Sequence, residues 1–213
     1  PIVFLFLLSF TDCAKKGRPS GGLRDTIAPV ILRSAPENFT TNFKNNEIRI
    51  TFDEFIKLKD ISKELIISPP LKYAPIITPL SVSKVLKIKI LDTLKDNTTY
   101  SFNFGNSILD NNEGNLFPNY KYVFSTGSYI DSLTLKGTAI DALLPVTDFP
   151  TTVALYQVDQ SYKDSLVFLE KPTYITTTIN ETNNFELSNL KQGTYQLIAL
   201  KEHTGNYTFQ PKT

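Results

Sequence analysis

The 213-residue chain has no tryptophan and no methionine, one cysteine and one histidine. A single cysteine excludes an internal disulfide and every multi-cysteine metal site. A single histidine, His203, excludes histidine clusters. Any nucleophile–histidine relay would depend on that residue alone, and the surrounding KEHTGN carries no catalytic motif. His203 reads as an exposed loop residue. Excess charge of either sign is also missing: 22 basic side chains stand against 21 acidic ones, for a net charge of +1. A nucleic-acid partner is therefore not expected, because the basic footprint it needs is absent. No apolar run reaches the roughly 20 residues that span a bilayer as a helix. No repeat at a period of about 20 to 50 residues marks a solenoid. No motif calls for a cofactor, and none is expected.

What the chain does have is strand periodicity. In NEIRITFDEF, residues 46–55, Ile48, Ile50 and Phe52 alternate with Arg49, Thr51 and Asp53. One face is apolar and the other polar, as in a half-buried strand. In VLKIKIL (85–91), Leu86, Ile88 and Ile90 share a side; in 99–104, Tyr100, Phe102 and Phe104 do; in YKYVFST (120–126), Tyr120, Tyr122 and Phe124 do. Aromatic and β-branched residues suit such strands. Turn-forming clusters separate them, at Pro36–Asn38, Ser68–Pro70, Lys95–Asn97 and Asn111–Asn115. Only 59–65 has the pattern of a short helical turn. Further strands are expected over 132–140, 151–158, 173–179, 184–190 and 194–201. Lys191-Gln192-Gly193 then joins the last two as a hairpin, with Phe185, Leu187 and Leu190 facing Tyr195, Leu197 and Ala199. The fold class is all-β: two tandem antiparallel β-sandwiches. The expected divisions are 1–12, 13–27, 28–127 and 128–213.

ITFDEFIKL, LDTLKDNTTYSFNFGNSILDNNEGN and YVFSTG together resemble the bacterial Ig-like domain of S-layer and Bacteroidetes-type surface lipoproteins. The shared features are the strand Ile50–Asp53, the strand entry Leu94–Tyr100, the acidic loop Asp110–Asn115 and the closing Phe124–Gly127. The loop is one residue longer than the family's pattern. Residues 135–141, Asn184-Phe185 and Leu190–Tyr195 resemble the prealbumin-like or carboxypeptidase-regulatory-like β-sandwich, here expected to be incomplete. These resemblances imply an Ig-like first module, an envelope-facing role and no catalytic residues.

The segment PIVFLFLLSFTDC has the length of a signal-peptide apolar region. Ending at Cys13, it resembles a bacterial lipoprotein precursor, in which the cysteine is lipidated and becomes the mature N-terminus. Phe10-Thr11-Asp12 departs from the family's Leu, small residue, then Gly or Ala. A plain secretory signal with an incidental cysteine is the alternative. On the lipoprotein reading, residues 1–12 are the signal remnant and 13–27 a Gly- and Pro-containing tether. The anchor would hold the protein at the outer membrane, on its periplasmic or its surface face.

Candidate sites are sparse. Asp110, Asn112, Glu113 and Asn115 crowd oxygen atoms into one loop, as calcium would require; the simpler reading is an Asx-rich turn with Gly114 at positive φ. Asp53 and Glu54 are adjacent on a strand and point to opposite faces, so they do not converge for acid–base work. Four tripeptides, Asp25-Thr26-Ile27, Asp92-Thr93-Leu94, Asp131-Ser132-Leu133 and Asp164-Ser165-Leu166, are similar to the O-glycosylation acceptor of Bacteroidetes-type exported proteins. The hydroxyl residues are Thr26, Thr93, Ser132 and Ser165. Tyr73, Tyr129, Tyr156 and Tyr162 would form a sugar-binding platform only if they shared a face. The expected function is a non-enzymatic, lipid-anchored scaffold or adhesive module, with envelope proteins or polysaccharide as partners. The alternative is an accessory region of a larger secreted enzyme, such as a glycoside hydrolase or peptidase.

Overall fold

The computed structural model describes residues 22–140, 150–179 and 182–201. The first module contains nine strands: β1 (Ile31–Ala35), β2 (Glu47–Leu58), β3 (Ile66–Ser68), β4 (Ile76–Thr78), β5 (Ser83–Lys89), β6 (Thr99–Asn103), β7 (Ile108–Asp110), β8 (Leu116–Phe117) and β9 (Lys121–Ser125). One helical turn, α1 (Ile61–Glu64), lies between β2 and β3. The strands form two antiparallel sheets. The larger runs β4-β5-β2-β7-β8 with β1 also paired to β2; the smaller runs β3-β6-β9.

β2 organises the larger sheet because it is long enough to hold two partners on one edge. β1 pairs with its first half, from Ala35 opposite Arg49 to Ile31 opposite Phe52. β7 pairs with its last three residues, where Ile56 lies opposite Asp110. The alternation read from the sequence sets which side is buried. Ile48, Ile50, Phe52 and Ile56 of β2 pack with Leu86 and Ile88 of β5 against Tyr100, Phe102, Tyr122 and Phe124 of the smaller sheet. Phe124 lies at the centre, stacked on Phe43 at 4.0 Å and on Tyr100 at 5.5 Å between ring centroids. Burying each such side chain contributes about 1.5–3 kcal/mol.

The smaller sheet departs from simple alternation. Thr99, Ser101, Val123 and Ser125, on the side that alternation turns away from the core, are buried as well. Two neighbours account for this. Along β9, residues 38–43 satisfy the free edge: Phe39 N donates to Val123 O at 2.7 Å and Phe43 N to Ser125 O at 2.9 Å. The Asn38 carboxamide extends this pairing, giving a hydrogen bond to Lys121 O and taking one from Val123 N. On the outer face of the sheet sits the second module.

That module contains β10 (Leu133–Thr138), β11 (Thr152–Gln157), β12 (Tyr174–Thr177), β13 (Asn184–Leu190) and β14 (Tyr195–Leu200), with α2 (Leu166–Leu169) in the β11–β12 connection. Its sheets are β10-β13 and β12-β11-β14. Val153, Leu155 and Tyr174 meet Phe185, Leu187 and Leu190 between them. This corrects one expectation. β13 and β14 are not a hairpin: β13 pairs with β10, β14 pairs with β11, and Lys191–Gly193 carries the chain from one sheet to the other. No helix among the described residues is long and apolar enough to cross a membrane.

Candidate functional site

The two modules meet through named polar groups. Asp131, on the connection between them, accepts a 2.8 Å hydrogen bond at Oδ2 from the Thr99 hydroxyl, and its N–H donates back to the same hydroxyl at 2.9 Å. Asn189 Nδ2 donates to Asp131 O at 3.0 Å. Across the sheet face, Lys121 Nζ donates to Ser188 Oγ at 2.8 Å and Ile175 N to Ser68 Oγ at 3.1 Å. Burial lowers the Lys121 pKa below the ordinary lysine value, partly offset by the Glu186 carboxylate. At the rim, Lys171 Nζ reaches back to Leu71 O at 2.6 Å.

Lys171 also closes one side of a cavity of about 380 Å³ lined by Ile61, Leu65, Ile67, Leu71 and Ile77. Residues of α1, β3, the 69–75 loop and β4 wall it, and Lys171 is the second module's contribution. Its walls are aliphatic apart from Ser62 and Lys171. It can accept an apolar group, but it gathers no pair of titratable side chains that could activate a bond. Nothing in the sequence singled out Lys171. Asp131 was visible only as the first residue of one Asp-Ser-Leu tripeptide.

In the acidic loop, Asp110 is fully buried. Its Oδ1 accepts N–H groups of Glu113 at 2.7 Å and Gly114 at 3.2 Å, and its Oδ2 accepts that of Asn115 at 2.6 Å. Gly114 has φ +80°. Asn115 turns outward and donates to the carbonyls of Asp25 and Ile27, while Arg24 Nη2 donates to Glu113 O, so the chain entering the module is strapped across the loop. Asn112 accepts from the neighbouring Asn111 amide. Burial acts to raise the Asp110 pKa, but hydrogen bonds from the N–H groups of Asn115, Glu113, Gly114 and Asn112 outweigh it and hold the carboxyl below its usual value. Among the described residues no group of three or more His, Cys, Asp or Glu is arranged to hold a metal.

Asp53 is exposed and accepts the Val30 N–H at 2.8 Å. Glu54 is pushed above the usual carboxylate value by partial burial first, then by Asp110, Asp53, Asp25 and Glu113. The structure spreads these acids over a loop, a strand and the entering strap rather than aiming two at one point. The hydroxyl residues of the four tripeptides, Thr26, Thr93, Ser132 and Ser165, are all exposed. The tyrosine platform does not form: Tyr73 and Tyr129 are exposed, but Tyr156 is buried with its hydroxyl turned towards Glu170 O at 3.5 Å. Cys13 and His203 lie outside the described residues.

Residues 25–126 match the family model of the bacterial Ig-like domain. That span is the first module, from the strap at Asp25 to the end of β9. No curated protein matches the chain. Among solved structures, an L,D-transpeptidase from Mycobacterium smegmatis shares 12% identity and a TM-score of 0.31, over 64% of this chain and 70% of that one. The N-terminal part of the bacterial S-layer protein SbsC shares 16% identity and a TM-score of 0.29, over 76% of this chain and 44% of that one. At these scores neither likeness bears on function.

Proposed function

We propose that the chain is a non-catalytic cell-envelope module: two β-sandwiches that form a scaffold or binding surface, held at a membrane by a lipidated Cys13. The observation that carries this reading is how the polar side chains are used. Asp110, Asp53, Asp131, Thr99 and Asn115 each hold backbone or a neighbouring module in place. Groups committed in this way keep a scaffold in shape and are not available to react. The Ig-like match of residues 25–126 supports a structural role for the first module. The polar junction joins the second module to it, as a spacer requires. The four exposed Asp-(Ser/Thr)-aliphatic hydroxyls are compatible with glycosylation of an exported protein. Fold alone does not give function, so the anchor is the decisive test. Mass spectrometry of the mature N-terminus from the native host is expected to find an acylated Cys13. An unmodified terminus at another residue would remove the anchoring part of the proposal.

A further inference from the structure

The outer face of the larger sheet in the first module carries a concentration of positive charge. Registers place its residues. Arg49 on β2 lies opposite Lys87 on β5 and, on its other side, opposite Ala35 of β1. One step along, Glu47 lies opposite Lys89, and Lys89 opposite Ile76 of β4. One step the other way, Thr51 lies between Val85 and Arg33. These residues alternate with the buried Ile48, Ile50, Leu86 and Ile88, so they point away from the core.

Arg33, Arg49, Lys87 and Lys89 therefore share one exposed face with two acids, Glu47 and Asp53, an excess of two positive charges. Glu47 is already paired with Arg49 Nε at 2.5 Å. Arg33, Lys87 and Lys89 have no ion pair or side-chain hydrogen bond among the described residues. In a chain whose net charge is only +1, this is a local excess. Directly opposed like charges on neighbouring strands, here Arg49 and Lys87, destabilise a sheet. Their repulsion is relieved when an anion lies across both.

Large apolar side chains border the stripe. Leu80, in the β4–β5 hairpin loop, is 95% exposed; Phe55 on β2 is 54% exposed and Ile76 on β4 is 49% exposed. A soluble acidic polymer would satisfy the cations and leave these apolar groups in water. A phospholipid surface satisfies both, with headgroup phosphates over the cations and the acyl boundary under the apolar rim. The described residues of the second module pack on the opposite sheet, through β3 and β6, and leave this face open. Gly22 lies nine positions after Cys13; at full extension those nine steps reach about 30 Å. An anchor at Cys13 would therefore keep the sandwich within reach of the bilayer.

We infer that this face docks on an anionic phospholipid surface, laying the first module flat against the membrane. The inference extends the anchoring proposal and stands apart from it, because the charges act whether or not Cys13 is acylated.

The test is co-sedimentation of the full chain with vesicles of phosphatidylcholine alone and of phosphatidylcholine mixed with phosphatidylglycerol. Any binding by the apolar N-terminal run is common to both kinds, so the difference between them reports the face. Binding is expected to be tighter on the anionic vesicles and to weaken as salt rises. Each cation near an anionic surface is worth about fivefold in binding, so the combined variant Arg33→Gln, Lys87→Gln, Lys89→Gln should lose about a hundredfold. Its melting temperature should be unchanged or higher, because the repulsion is gone. Leu80→Asp, at a fully exposed loop position, should weaken vesicle binding without touching the fold. Equal binding to both vesicle types, or wild-type binding by both variants, overturns the inference. So does variant-sensitive binding to soluble alginate in place of the vesicles, which would assign the face to a polysaccharide. An unacylated terminus at Cys13 would leave these outcomes unchanged.

Discussion

Replacing Asp110 with Asn tests whether the acidic loop is a structural knot. The side chain is inaccessible to solvent, and its two oxygens take N–H groups from Glu113, Gly114 and Asn115 at 2.7, 3.2 and 2.6 Å. Asparagine fills the same volume but offers one acceptor oxygen and one NH₂ donor. Whichever way the amide turns, at least one backbone N–H then meets a donor, and the remaining bonds lose the carboxylate charge. Hydrogen bonds to charged groups contribute about 1.5–3 kcal/mol, and leaving a buried donor unpaired costs about 1–3 kcal/mol. Asp110→Asn should therefore destabilise the first module by about 3 kcal/mol, read as a lower urea midpoint. The pH dependence gives a second readout. The folded-state pKa of Asp110 lies below its unfolded value, so its contribution is fully present above the unfolded pKa of about 3.9. It is lost as pH falls through the folded pKa, and the wild-type acid limb should be steeper than that of the variant. A variant within about 0.5 kcal/mol of wild type, or one with the same acid limb, would refute the assignment.

Phe124→Ala removes a ring in contact with Phe43, Tyr100, Phe102 and Tyr122, and urea denaturation should show a loss of about 3–5 kcal/mol. Gly105 has φ +51°, and a Cβ there would lie 2.5 Å from Glu64 Oε2 and 3.2 Å from Glu64 O; Gly105→Ala should cost about 1–3 kcal/mol of thermal stability. Asp131→Ala removes the acceptor from the buried Thr99 hydroxyl, and limited proteolysis should then cut the 127–133 connection faster than in the wild type, while the first module keeps its melting behaviour to within about 1–2 kcal/mol.

The core of the first module could be read from the sequence because its strands obey a single period. Ile48, Ile50 and Phe52 alternate with polar neighbours, and the structure buries the first set and exposes or half-buries the second. The same rule covers Leu86 and Ile88. It says less about short strands. β3, β4, β7 and β8 have two or three residues each, too few for a period to register, and turn residues surround them. The candidate junction was not visible at all. Lys171 and Leu71 are 100 positions apart, and Ser68 and Ile175 are 107 apart. No local pattern encodes a contact at such separation. The basic face was hidden for a related reason: Arg33, Arg49, Lys87 and Lys89 come from three strands, and only the register brings them to one side.

The misassigned hairpin shows where local reasoning stops. Lys191-Gln192-Gly193 has the composition of a tight turn, and the strands on either side alternate well, so adjacent pairing looked natural. Two features of β11 decide otherwise. Val153 and Leu155 face the sandwich core, and Ala154 and Tyr156 are buried on the reverse side, so β11 is a central strand in need of partners on both edges. β12 takes one edge, and β14 takes the other along its full length, from Thr152 opposite Leu200 to Gln157 opposite Tyr195. β13 pairs with β10 in the facing sheet, which lets Phe185, Leu187 and Leu190 close the core from the other side. A β13–β14 hairpin would put both strands in one sheet, leaving β11 with an open edge and β10 with no partner. The burial of β11 on both faces, a demand set three strands earlier, outweighed the local turn signal.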